Sequence, residues 1–127
     1  MQKNNRPKFL DLRVLGSAMS ATGKVSILHR VSGVIMFVMI PVLIYILGHS
    51  LSNPDFYASC VSIMSCSVAK LALLVVLWAM LHHIVAGIRF LLLDMHVGVE
   101  RAAAQKSAKA SIIIALILTV IVGYFLW

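Results

Sequence analysis

The sequence predicts an all-α membrane protein with three transmembrane helices. Of its 127 residues, 61% are hydrophobic, and only eleven Lys or Arg and four Asp or Glu carry charge. A soluble domain of this length could not cover so much apolar surface with so few charges. Three long runs lack charged residues: 31–47, 71–88 and 110–127. Each run spans about 26 Å as a helix, and its flanking residues extend it toward the ~30 Å of a bilayer core.

The elements follow from these runs in order along the chain. A polar arm is predicted over residues 1–25, and a transmembrane domain over residues 26–127. Within the domain we expect helices at about 26–49, 67–93 and 107–127. Pro41 lies inside the first helix, where neighbouring helices can compensate for its missing hydrogen bond. The Ser-, Asn- and Pro-rich stretch after residue 49 predicts a turn-rich connection.

The positive charges predict the orientation of these helices. Six Lys or Arg lie at or before Arg30, four lie between Arg89 and Lys109, and residues 49–67 contain none. Because cytoplasmic segments accumulate Lys and Arg, we expect the N-terminus and the second connection inside and the C-terminus outside. The net charge of +7 therefore reflects topology and not a nucleic-acid site. The first 25 residues resemble neither a signal peptide nor a transit peptide, which favours a bacterial inner membrane.

The second helix carries a candidate metal ligand, His83. His83 and Gly87 are four residues apart and share a helix face. A neutral imidazole is a usual axial ligand of haem iron, and small neighbours let a flat macrocycle approach the backbone. His82 points about 100° away and is the weaker candidate. Spacing alone does not separate an iron ligand from a histidine that hydrogen-bonds to a neighbouring helix.

The start of the first helix carries a second polar cluster. Ser26 and Arg30 share one face, and His29 and Gly33 share the next. A hydroxyl and a guanidinium at the membrane surface can hydrogen-bond a quinone carbonyl, and His29 and Arg30 could bind haem propionates. The alternative is that Arg30 only extends to lipid phosphate, and the same alternative applies to Arg89.

A haem with two axial histidines needs both at one depth. Counted by helix rise, His29 should lie roughly 10 Å shallower than His83. His49 falls at the opposite membrane surface, and His96 falls in a connection. The second ligand is therefore expected from another subunit.

Two sequence strings carry a resemblance to a known family. The first string is Ser26-Ile-Leu-His29-Arg30-Val-Ser32-Gly33, and the second is His83-x-x-x-Gly87-Ile-Arg89-Phe90-Leu91-x-x-Asp94. Arg6-Pro7 and Leu10-Asp11-Leu12 precede the first string, and Lys106-Ser-Ala-Lys109 follows the second. With these strings the chain resembles, over nearly its whole length, the cytochrome b large membrane-anchor subunit of bacterial succinate dehydrogenase, respiratory complex II.

The resemblance implies a subunit of a succinate:ubiquinone oxidoreductase that has no dicarboxylate active site of its own. It implies haem b with His83 as an axial iron ligand, His29 and Arg30 near the propionates, and Ser26 and Arg30 at the ubiquinone site. Its implied partners are a small hydrophobic anchor that supplies the second haem ligand, an iron–sulfur subunit, a flavoprotein subunit and membrane lipid. The alternative is a purely structural anchor without haem. Phe90 stands where many family members have a second histidine.

Overall fold

The computed structural model describes residues 19–126, and these residues form four α-helices without a β-strand. The helices are α1 (Ala21–Ser52), α2 (Pro54–Met64), α3 (Ser67–Asp94) and α4 (Arg101–Leu126). α1, α3 and α4 are long and apolar enough to cross a membrane. At 1.5 Å per residue they reach about 48, 42 and 39 Å, more than a ~30 Å bilayer core. The predicted all-α class with three spanning helices is confirmed.

α1 begins at Ala21, five residues before the predicted start of the first helix. Ser20 is the N-cap residue, and its hydroxyl accepts a hydrogen bond from the backbone N–H of Gly23 at 3.4 Å. Residues 21–25, predicted as part of the arm, therefore belong to α1. The helix continues through Pro41 to Ser52. The rest of the predicted arm, including Arg6-Pro7 and Leu10-Asp11-Leu12, lies outside the described residues, as does Trp127.

The connection after α1 contains a short helix that the sequence did not predict. The side chain of Asn53 accepts hydrogen bonds from the N–H groups of Asp55 and Phe56 at 2.9 and 3.1 Å. Pro54 occupies the first helical turn, where its missing N–H costs nothing. The Asn-Pro pair, which suggests a turn, here begins helix α2.

α4 also begins earlier than predicted, at Arg101 instead of Ser107. The intervening stretch Ala102-Ala103-Ala104-Gln105 consists of strong helix formers. The connection between α3 and α4 is correspondingly short, and it turns through His96 and Gly98, which have φ values of 62° and 70°. Gly98 is suited to this left-handed conformation because it has no Cβ.

α3 is the central helix and packs against both α1 and α4. α1 and α4 begin at the same end of the bundle at which α3 terminates, and we call this the basal end. There Val25, Ala86 and Ala108, one from each spanning helix, form a fully buried cluster. Small residues of this kind let membrane helices approach closely. All three spanning helices are therefore in close contact at the basal end.

The outer surface of the bundle is strongly apolar. Phe37 and Leu51 of α1 are 79% and 80% exposed, and Phe125 of α4 is 81% exposed. Such a surface suits lipid or the apolar face of another subunit, but not water. The chain is thus a multi-pass membrane protein.

Candidate functional site

Two histidines from different helices meet between α1 and α3. The imidazole rings of His29 and His83 are stacked, with centroids 4.0 Å apart and planes inclined by 12°. Both side chains are half-buried. The predicted depth difference of about 10 Å between them is therefore wrong. That estimate assumed that α1 begins at Ser26, whereas His29 lies more than two turns inside the helix that starts at Ala21.

A glycine on the opposite helix makes room for each imidazole. A Cβ on Gly33 of α1 would lie 3.1 Å from Cε1 of His83, and a Cβ on Gly87 of α3 would lie 3.4 Å from Nε2 of His29. α1 and α3 run antiparallel, and each carries a histidine four residues before its glycine. Each histidine thus faces the glycine of the other helix. The missing side chain matters most at Gly33, where a Cβ would crowd the His83 ring, whereas at Gly87 a Cβ would make an ordinary contact with His29.

The hydrogen bonds of His83 fix which of its nitrogens is free. Its Nδ1 lies 3.1 Å from the backbone carbonyl oxygen of His29 and 3.3 Å from the hydroxyl of Ser32. Ser32 donates its own hydrogen to the same carbonyl at 2.8 Å. Because a carbonyl only accepts, Nδ1 carries the proton and Nε2 carries the lone pair. Nε2 has no hydrogen-bond partner among residues 19–126.

This is the arrangement that metal-binding histidines adopt. One ring nitrogen donates to a backbone carbonyl, which fixes the ring and makes the other nitrogen more basic. No group of three or more His, Cys, Asp or Glu that could hold a metal ion occurs within the described part of the chain. His83 would therefore have to bind a metal that already has other ligands, as the iron of a haem does.

His29 cannot be the second axial ligand of the same iron. Axial ligands lie on opposite faces of the macrocycle, whereas the rings of His29 and His83 stack directly on each other at 4.0 Å. No macrocycle fits between them. The expectation of a ligand from another subunit thus remains a prediction, but it now follows from ring geometry and not from depth.

An apolar groove between α1 and α3 begins one turn beyond the two histidines. Met36, Met39, Ile40 and Leu43 of α1 and Val76 and Met80 of α3 line its first part, of about 70 Å³. It continues into a larger part of about 330 Å³, walled by Leu43, Leu73, Val76, Leu77, Met80 and Leu126. A flat apolar ligand attached to His83 could lie against these side chains. The residues present therefore fit a haem, with the groove as one wall of its pocket.

Phe90 and Arg89 extend the histidine stack toward α4. The ring of Phe90 meets His29 edge to face at 5.2 Å, and the Arg89 guanidinium carbon lies 5.2 Å from the centre of the Phe90 ring. Arg89 is only 6% exposed. Its Nε donates to the Ser107 hydroxyl at 3.0 Å, and its Nη2 donates to the carbonyl of Ala104 at 2.9 Å. The alternative in which Arg89 only reaches out to lipid phosphate is therefore wrong.

The structure does not join Ser26 and Arg30 to the histidine stack by any hydrogen bond within the described residues. Ser26 is half-buried on the second turn of α1, and Arg30 is exposed about one turn further along. Their side chains are thus available to a ligand at the basal end. The quinone and propionate contacts expected of Ser26, His29 and Arg30 remain predictions.

His82 lies on another face of α3 from His83. It is fully buried, its ring stacks on that of Trp78 at 5.2 Å, and neither of its nitrogens has a hydrogen-bond partner within residues 19–126. Its face is shared by Ala79, Ala86 and Arg89, which are also buried. His82 is enclosed by this chain and has no room for a large ligand.

Sequence reasoning gave Ser32 no role of its own. Ser32 is fully buried and contacts both the His29 carbonyl and Nδ1 of His83. Its position three residues after His29 was visible, and an i to i−3 hydrogen bond of a serine to the backbone is a common helical contact. Its contact with His83 could not be seen, because it depends on how α3 docks.

Comparison with known proteins identifies relatives of this chain. Residues 2–122 match the family described as the succinate dehydrogenase/fumarate reductase transmembrane subunit. The chain is 30% identical over 103 residues to the succinate dehydrogenase cytochrome b556 subunit of Coxiella burnetii, covering 80% of this chain and 82% of the relative. It is 29% identical over 120 residues to the subunit of the same name from Rickettsia bellii, covering 93% and 90%. The corresponding Rickettsia prowazekii subunit is 26% identical over 118 residues, with the same coverage of 93% and 90%.

Proposed function

Because the chain belongs to the family of succinate dehydrogenase/fumarate reductase transmembrane subunits, we propose that it binds haem b through His83 and helps to form a ubiquinone-reduction site. The observation that carries this proposal is the orientation of His83. Its Nδ1 is anchored to the carbonyl of His29, its Nε2 has no hydrogen-bond partner among residues 19–126, and an apolar groove begins one helical turn away at Met80. A bound haem would supply one-electron storage between the electron source and quinone.

Residues of this chain orient the proposed iron ligand even without a bound cofactor. The carbonyl of His29 and the hydroxyl of Ser32 hold the His83 ring in one orientation and one tautomer. Gly33 leaves room for the His83 ring against α1, because a Cβ there would lie 3.1 Å from Cε1 of His83. At the basal end, Ser26 and Arg30 would donate hydrogen bonds to a quinone carbonyl, and His29 and Arg30 would hold the propionates. Charge-assisted donors such as Arg30 make the stronger of these bonds.

The remaining ligands and subunits come from outside the chain. The second axial histidine would be supplied by a small hydrophobic anchor whose helix covers the open side of the groove. By the positive-inside rule, the basal end, with its Lys and Arg, would face the cytoplasm. There the iron–sulfur subunit would dock and pass on the electrons that the flavoprotein takes from succinate.

The proposal is tested by purifying the chain with its partner subunits in a mild detergent. We expect the dithionite-reduced minus oxidised spectrum to show a b-type haem, and we expect the complex to reduce ubiquinone with succinate. A complex that contains all subunits but no haem would contradict the proposal. It would favour the alternative of a purely structural anchor.

Replacement of Arg30 or Ser26 by alanine should impair quinone reduction selectively. A hydrogen bond from a charged donor contributes about 1.5–3 kcal/mol and one from a neutral donor about 0.5–1.5 kcal/mol. Each 1.4 kcal/mol corresponds to about a tenfold change, so Arg30→Ala should reduce succinate:ubiquinone activity by about tenfold or more, and Ser26→Ala by a few-fold. Succinate oxidation with an artificial acceptor, measured on the same samples, should be nearly unchanged.

Lys24→Ala is the matched control for these two variants. Lys24 is an exposed cation on the first turn of the same helix and has no proposed role at the quinone. Equal loss of both activities in Arg30→Ala would indicate an assembly defect. An effect of Lys24→Ala as large as that of Arg30→Ala would indicate that only the surface charge matters.

A further inference from the structure

We propose that Arg89 is a buried positive charge that makes the bound haem easier to reduce. This inference rests on the proposed function, because it concerns a haem held by His83. It assigns a role to a residue that contacts neither the proposed iron ligand nor the proposed quinone site directly.

The charge of Arg89 is enclosed, without a counter-ion among the residues that the structure describes. The side chain is 6% exposed, and both of its hydrogen-bond partners, the Ser107 hydroxyl and the Ala104 carbonyl, are neutral. Its Nη1 is buried without a partner, and no carboxylate of residues 19–126 forms an ion pair with it. Because arginine stays protonated in proteins, a full positive charge is held inside the bundle.

Packed rings separate this charge from the proposed iron ligand. The guanidinium lies 5.2 Å from the Phe90 ring, that ring lies 5.2 Å from the His29 ring, and the latter lies 4.0 Å from the His83 ring. Along α3, Arg89 is six residues from His83, or about 9 Å by helix rise. Across such an apolar path a charge is screened much less than across water.

A fixed cation at this place favours one redox state over the other. A haem held by His83 would supply one-electron chemistry, and its reduced form would carry one unit less positive charge than its oxidised form. A nearby positive charge stabilises the reduced form relative to the oxidised form, so it raises the midpoint potential. α4 holds the Arg89 guanidinium in place through Ala104 and Ser107. This helix therefore affects the midpoint potential although it does not line the proposed haem site.

The test is a potentiometric titration of the haem absorbance in the purified complex. We expect Arg89→Gln to shift the midpoint to a more negative potential with haem still bound, and Arg89→Lys to restore most of the wild-type value. Lys109→Gln removes an exposed charge from the same region of α4, and it should leave the midpoint unchanged. A fully loaded Arg89→Gln complex with the wild-type midpoint would overturn the inference, as would an equal shift in Lys109→Gln.

A second pair of variants covers the case in which Arg89→Gln does not assemble. Ser107→Asp places a carboxylate where Nε of Arg89 now meets a hydroxyl at 3.0 Å. The carboxylate offsets the positive charge of Arg89 without removing the arginine. We expect Ser107→Asp to lower the midpoint and the uncharged Ser107→Asn to leave it unchanged; equal midpoints in the two variants would contradict the proposal. Absence of haem from the wild-type complex would refute the proposed function, whereas bound haem with an unshifted midpoint would refute only the role of Arg89.

Discussion

Replacing His83 with leucine is expected to abolish the b-type haem signal of the purified complex at unchanged subunit content. Leucine has a similar size but no lone pair, so the iron would lose one axial ligand. No other histidine of the described chain can substitute for it. We expect the His29 ring to stay packed against the side chain at position 83, on which it stacks in the unsubstituted chain. His49 lies at the far end of α1 from the histidine stack. The measurement is the dithionite-reduced minus oxidised spectrum, normalised to the iron–sulfur and flavoprotein subunits.

The adjacent histidine provides the control. His82→Leu changes the same type of residue one position away, on the buried face of α3. Because neither nitrogen of His82 has a hydrogen-bond partner in the described part of the chain, its loss should cost the fold little, and the haem signal should remain. A normal signal in His83→Leu together with a lost signal in His82→Leu would reverse the assignment. Loss in both variants would indicate that the helix as a whole, and not one ligand, determines haem retention.

The sequence alone was sufficient to predict the spanning helices and the faces of α3. The three uncharged runs located α1, α3 and α4, and the 100° between successive residues separated His83 from His82. The relative height of α1 and α3 was not predictable in this way, because it depends on where α1 begins and how the helices dock. One available signal was not used: two His-x-x-x-Gly strings on antiparallel helices can pair reciprocally, which would have placed His29 beside His83.

The environment of Arg89 illustrates the same limit. From sequence, an arginine near the end of a membrane helix can either reach lipid phosphate or turn inward. The outcome depended on α4, whose helix begins at Arg101 and so presents the Ala104 carbonyl and the Ser107 hydroxyl to the guanidinium. A helix starting at Ser107, as predicted, would have left Ala104 in a connection. Helix ends are set by local capping and packing, so small errors there displace the contacts of a buried side chain.

Gly33→Ala is expected to weaken haem retention by about tenfold, the lower end of the effect of disturbing a group that orients a metal ligand. The new Cβ would lie 3.1 Å from Cε1 of His83, so the ring would have to move by a few tenths of an ångström. That movement would stretch the contacts of Nδ1 with the His29 carbonyl and the Ser32 hydroxyl. The haem-to-protein ratio after purification, and the low-temperature spectrum of the haem that remains, measure the effect.

The other glycines distinguish a displaced ligand from a changed helix. Alanine is about 0.8–1.0 kcal/mol more favourable than glycine inside a helix, so each substitution should favour the helix itself, and helix loss cannot explain a loss of haem. At Gly87 the added Cβ would meet Nε2 of His29 at 3.4 Å, an ordinary contact, and at Gly48 it would meet nothing within 4 Å. We therefore expect haem retention to fall most in Gly33→Ala, slightly in Gly87→Ala and not at all in Gly48→Ala. Equal retention in Gly33→Ala and Gly48→Ala would show that the fit of the His83 ring against α1 does not control the haem.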